Sequence, residues 1–186
     1  MNSIVNQQEP SGAAPDGLAA GGPNADYADK LMLFGQFVGD WEVDFTVHEP
    51  GGSEKTVKAE WHFGWVLEGR AIQDVFIVPR RADRESSNWT RDDYGTCLRF
   101  YDPSLDYWRV VWISPRHGEI ITLNARQIGD EIVLEGKDLN DTPMRWIFSN
   151  IVSNSFHWRR VFSTDGSKTW QLHKEMIVRR VVEQER

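Results

Sequence analysis

Two periods divide the chain. Between Tyr27 and Val38 the apolar residues Tyr27, Leu31, Phe34 and Val38 fall at helical spacing, giving a short helix with one apolar side that Asp26 would cap and Gly39 would end. From Trp41 the period becomes two. Trp41, Val43, Phe45 and Val47 alternate with Glu42, Asp44, Thr46 and His48, the pattern of a half-buried strand. "EPGGSE" then turns the chain, and Val57, Ala59, Trp61 and Phe63 alternate with Lys58, Glu60 and His62. Further strands are predicted at 70–78, 94–101, 107–114, 119–128, 131–136, 144–149, 156–163 and 170–181. About ten strands joined by short hairpins, with no helices between them, predict an all-β, up-and-down antiparallel barrel with the helix plugging one end. The stretch "PRRADRESSNWTRDD" is the one long connection and reads as a charged surface loop.

Residues 1–24 are rich in Gly, Ala, Pro, Ser and Asn, with little to bury, and read as a disordered leader before a single barrel domain spanning 25–186. Turn chemistry then assigns faces. If Gly129 and Asp130 form a two-residue turn, Leu123, Ala125, Ile132 and Leu134 share one face, and Asn124, Arg126, Val133 and Glu135 the other. Taking "DPSLD" as a loop puts Leu98 and Phe100 with Trp108, Val110 and Trp112, leaving Arg99, Tyr101 and Arg109 opposite. Taking "TDGSK" as a loop puts Phe156, Trp158, Arg160 and Phe162 with Trp170, Leu172, Lys174 and Met176, and gathers His157, Arg159, His173 and Glu175 on the other side.

Composition narrows the function. Lysine and arginine total 21 against 28 acidic residues, a net charge of −7, which argues against a nucleic-acid partner. No run of about 18 apolar residues suggests a membrane span. The single Cys97 offers no internal disulfide, and no basic-then-apolar leader opens the chain, so a cytoplasmic location is expected. Nine tryptophans are more indole than a small solid core uses, and a lined cavity accommodates them.

The Gly39-Asp40-Trp41 triplet after a short helix resembles the glycine-x-tryptophan signature of the calycins, the lipocalins and fatty-acid-binding proteins. That resemblance implies a barrel in which an arginine near the chain's end, Arg179 or Arg180, stacks on Trp41. From about Tyr94 to Arg180, "YDPSLDYWRVVW", "GDEIVLEG", the arginine in "MRWIFS" and "DGSKTWQLHKEMIVRR" resemble an uncharacterised bacterial family with a lipocalin-like barrel. It implies the fold and no activity. "STDGSKTW" resembles a single Asp-box of sialidases, which reads as a hairpin loop built on Asp165 and Gly166.

The lumen expected on these assignments is aromatic, with Trp61, Phe100, Trp112, Trp146 and Trp158 among its lining. Arg160 and Lys174 are then cations in an apolar wall and must meet an acid, either Asp74 from the protein or one carried by a ligand. The ligand-binding set is therefore Trp61, Asp74, Phe100, Trp112, Trp146, Trp158, Arg160 and Lys174, suited to a small apolar or aromatic molecule with a carboxylate or phenolate. A cofactor-independent isomerase, lyase or cyclase acting on such a molecule is the competing reading, with His157, His173 and Glu175, or Asp74, as acid–base groups. A filled barrel serving as an interaction module is a third. No cofactor and no metal are expected: His62, His157 and His173 show no ligand spacing, although the barrel's distant resemblance to haem-binding nitrobindins would use one of them as an axial ligand. Val111 and Ile113 fall outside, where they would suit a homodimer contact.

Overall fold

The computed structural model describes residues 18–182. A 3-10 turn at Ala25–Tyr27 leads into α1 (Ala28–Gly35). Ten strands follow: β1 (Gly39–His48), β2 (Glu54–Val66), β3 (Ala71–Val78), β4 (Asp93–Asp102), β5 (Tyr107–Ser114), β6 (Glu119–Ile128), β7 (Glu131–Lys137), β8 (Pro143–Val152), β9 (Ser155–Phe162) and β10 (Gln171–Arg180). Each pairs antiparallel with its sequence neighbours, and β1 pairs with β10 to close a lipocalin-like barrel. Closure leaves no open sheet edge, and alternation sends every second side chain inward.

The N-terminal details differ from expectation. Asn24 makes the capping bond, accepting from the Asp26 N–H at 3.1 Å, so Asp26 is a first-turn residue and not the cap. The helix ends at Gly35, under the Trp65 indole, and Gly39 opens β1 instead. Of the expected leader, residues 1–17 lie outside the described residues. Residues 18–24 run along the barrel, with Ala20 bridging Trp65 and the Asn24 N–H donating to the Gly69 carbonyl at 3.0 Å.

The glycine and tryptophan at 39 and 41 are explained by one arginine. Trp41 is 1% exposed and donates its indole N–H to the Phe37 carbonyl at 2.7 Å. The Arg180 guanidinium stacks 4.1 Å from the Trp41 ring and donates to the carbonyls of Val38 and Gln36, both at 2.8 Å, and of Ser153 at 2.9 Å. It thus satisfies carbonyls where the helix hands over to β1, and ties the last strand to the first. Gly39 is at φ +126°, and a Cβ there would lie 2.7 Å from an Arg180 nitrogen, so both conformation and space demand glycine. Of the two candidate arginines Arg180 takes this role, while Arg179 points outward to Asp44 at 2.7 Å.

The expected faces hold at β6–β7, where Ile128 pairs with Glu131 across Gly129 and Asp130, and fail at two other hairpins. Asp102 pairs with Tyr107, so the β4–β5 loop is one residue shorter than "DPSLD". That slip turns β4 over. Cys97, Arg99 and Tyr101 face inward opposite Trp112, Val110 and Trp108, whereas Phe100, expected in the lumen, lies outside at 39% exposure. On β10 the register shifts between Leu172 and Lys174. This bulge sends Leu172 outward at 39% exposure and brings His173 and Lys174 both to the barrel's interior cavity. The proposed gathering of His157, Arg159, His173 and Glu175 is therefore broken, with His173 on the inside.

Val111 and Ile113 do face outward, beside Ile120. Elsewhere the outer face carries ion pairs such as Lys58 and Arg179 on Asp44. No helix of the described residues is long and apolar enough to cross a membrane.

Replacing Arg180 by alanine frees several carbonyls and the indole face. It should cost about 2–4 kcal/mol, lowering the melting temperature by roughly 5–15 °C. Arg180→Lys should recover less than half, because an ammonium cannot fork to carbonyls on separate segments. Thermal unfolding of both variants within a degree of wild type would contradict this role.

Candidate functional site

The barrel interior has a filled half and a hollow half. At the helix end Phe37 meets the rings of Phe156 at 4.7 Å, Phe148 at 5.1 Å and Phe63 at 5.9 Å between centroids. Phe34 packs edge-on against Trp108 at 5.0 Å. Aromatic packing of this density leaves no room for a ligand.

A buried ion pair sits at the edge of that packing. Arg99, 0% exposed, donates to Asp74, which also accepts the Cys97 N–H at 3.0 Å. The guanidinium lies 5.3 Å from the Phe34 ring and 5.4 Å from that of Phe63. Burial works against its charge and Asp74 more than offsets it, so its pKa is raised. Asp74 was expected to meet Arg160 or Lys174, or to act as an acid–base group. Arg99 occupies it instead, a consequence of the β4 register.

Beyond the pair the barrel opens into a cavity of about 310 Å³. Phe45, Trp61, Phe76, Trp112, Trp146 and Trp158 form its apolar walls. Trp146 and Trp158 meet edge-to-face at 5.6 Å, and Trp112 is edge-on to Trp146 at 6.2 Å. Arg160 pairs across β8–β9 with Trp146 and across β9–β10 with Lys174, so the two cations are neighbours on the inner wall. Neither is in an ion pair among the described residues. The Arg160 Nε and the indole N–H groups of Trp61, Trp146 and Trp158 have no hydrogen-bond acceptor there. Lys174 Nζ stands 5.8 Å from the Phe45 ring centroid.

Electrostatics follow from that geometry. Burial, and then Arg160, push the Lys174 ammonium down to about 8. Burial lowers Arg160 as well, although Glu119 and Asp138 lie near enough to oppose the shift. His173, edge-on to Phe162 at 5.9 Å, is pushed down to about 4 by burial and then by Lys174 and Arg160, so it is neutral at pH 7. Burial raises the Cys97 thiol and leaves it an inert wall. Glu119 is engaged by the Trp112 indole N–H at 3.1 Å.

Of the eight residues expected to bind a ligand, Trp61, Trp112, Trp146, Trp158, Arg160 and Lys174 come together around the cavity, Asp74 is sealed beneath it and Phe100 is outside. Among the acid–base candidates only His173 reaches the cavity. His157 and Glu175 are on the outer face, where Glu175 accepts from His157 at 2.8 Å and from His48 at 2.9 Å. His62 is also outside, between Asp40 at 2.6 Å and Glu60 at 3.1 Å, so the fold does not gather the histidines. The long β3–β4 connection is more than a charged surface loop. It lays Trp89 over the cavity, 6.0 Å from Phe45, with Arg91 beside it. A tryptophan in a polar loop was the available signal; nothing in the sequence marked the bulge that turns His173 inward.

Asp74→Asn or Arg99→Met alone should cost about 3–5 kcal/mol by leaving a buried charge unpaired, and Asp74→Leu with Arg99→Met far less than the sum. Urea unfolding of the three variants tests this; additive losses would contradict it. The lowered Lys174 pKa has a signed consequence. The unfolded lysine, near 10.5, holds its proton above the pH where the folded one, near 8, releases it, so stability should rise between about pH 8 and 10.5. Lys174→Met should abolish that rise and add roughly 2–3 kcal/mol at pH 7. A wild type whose stability does not climb over this window would contradict the burial of an unpaired ammonium.

No protein-family model and no curated protein matches the chain. Among solved structures, the S-type phycobiliprotein lyase CpeS from Guillardia theta superposes with a TM-score of 0.54 at 10% identity, over 82% of this chain and 93% of that one. Rv2717c from M. tuberculosis superposes with a TM-score of 0.55 at 15% identity, over 83% of this chain and 99% of that one. At these identities the likeness establishes the calycin-type barrel and leaves function to the cavity.

Proposed function

We propose that this barrel binds a compact aromatic or largely apolar molecule carrying an anionic group, seated in the hollow half with its anion against Arg160 and Lys174. The supporting observation is the pair of neighbouring cations in an indole-lined cavity, without an acid of the protein in contact. A buried cation is costly unless an anion meets it, and Arg99 already holds Asp74. The volume of about 310 Å³ lies at the small end of ligand pockets, fitting one or two fused rings better than a long lipid tail. The likeness to a phycobiliprotein lyase adds a precedent of shape to this reading.

Tryptophan fluorescence reads the site directly, since five of the nine indoles line it. Titration with 2-naphthoate should give saturable quenching, while 2-naphthamide should bind about 10- to 100-fold more weakly, the value of a charge-assisted contact. Arg160→Met and Lys174→Met should each lose most of that preference. Because Lys174 sheds its proton near pH 8, affinity for the carboxylate should fall roughly tenfold between pH 7 and pH 9 in wild type and stay level in Lys174→Met. Acid and amide quenching alike, or no quenching by either, would contradict the proposal.

A further inference from the structure

Lys174 is unlike the other five lysines of the chain. Lys30, Lys58 and Lys137 stand at the surface in ion pairs with Asp106, Asp44 and Asp141. Lys174 lies inside, against the Phe45 ring and next to a second cation, with no acid paired to it. Apolar walls and a like charge both favour the free amine over the ammonium, and a desolvated lysine beside another cation is the arrangement that makes an amine nucleophilic toward carbonyl carbon. The groups facing it are Arg160 on β9, His173 on its own strand, Arg91 from the β3–β4 loop, Glu119 at the start of β6 and Asp93 at the start of β4. The two carboxylates moderate the effect without forming an ion pair. The β10 bulge adds the neutral His173 imidazole to the same cavity, a proton acceptor adjacent in sequence to the amine.

We infer that Lys174 captures carbonyl compounds, condensing with an aldehyde or ketone whose anionic group rests on Arg160. This rests on the binding reading above and narrows its ligand to an oxo acid. The Nζ lone pair attacks the carbonyl carbon as the C=O π pair moves to oxygen. One Nζ proton passes through His173 to the alkoxide oxygen, giving the carbinolamine, and the second takes the same route to that hydroxyl, which leaves as water as the C=N bond forms. One amine and one carbonyl become one imine and one water, with no oxidant or reductant. Protonated, that imine withdraws electrons from the adjacent carbon, the usual entry to proton transfer or decarboxylation there.

The test is reductive trapping of the full chain with 4-carboxybenzaldehyde and cyanoborohydride, followed by intact mass and peptide mapping. We expect one adduct per chain, on Lys174, formed at least tenfold faster than on any other lysine and levelling off above about pH 8, where surface lysines continue to accelerate. Lys174→Met should abolish it. Arg160→Met should slow labelling by 4-carboxybenzaldehyde about tenfold more than labelling by benzaldehyde, which loses only the like charge that favours the free amine, and terephthalate should protect. Adducts spread over the surface lysines with Lys174 unlabelled, or an unchanged pattern in Lys174→Met, would overturn the inference. If 4-carboxybenzaldehyde quenches the indoles yet labels nothing at Lys174, capture fails and binding stands; if it does neither, both fail.

Discussion

Charge inside a barrel has to be answered from inside the barrel, and here the accounts do not balance. Four ionic side chains stand on the inner wall within the strands, Asp74, Arg99, Arg160 and Lys174, while Arg91, Asp93 and Glu119 join the cavity from a loop and from strand starts without pairing with the last two. One acid and one base cancel in contact, and the acid has no second face to offer because the Cys97 N–H takes its other oxygen. Two cations are left over, and no residue in contact neutralises them. Ligand chemistry, lysine acidity and the neutral histidine all follow from this remainder.

The architecture explains why the remainder persists. The helix end is packed with Phe34, Phe37 and Trp41, and the cavity lies toward the opposite end, where Trp89 lines it. Arg180 fixes that packing by joining helix, first strand and last strand through carbonyls they would otherwise leave open. The filled half is thus a rigid floor that carries the ion pair, and the hollow half inherits preset walls. Sites held on strands with locked rotamers need little reorganisation when a ligand arrives.

Most of the fold was legible in the chain because alternation is a long-range average: ten runs of period two survive an error in any one of them. The site is less forgiving. Register at 128–131 could be read because Gly129 and Asp130 leave the turn a single length, whereas 102–107 admits two lengths, and the shorter puts Arg99 inside in place of Phe100. That one residue decides whether Asp74 is free to serve Lys174. The bulge at His173 was equally hidden, since an extra residue in a strand has no composition of its own. Lys174 and Arg160 were found because they break an apolar alternation, a signal that does not depend on which hairpin length is right.

The most direct measurement is the titration of the Lys174 side chain itself, followed by the Cε chemical shift in protein labelled at lysine. A midpoint near 8, well below every surface lysine, is the predicted result. A midpoint at or above 10.5 would mean that an acid of the protein reaches this ammonium after all, and that Lys174 has no charge left to offer a ligand.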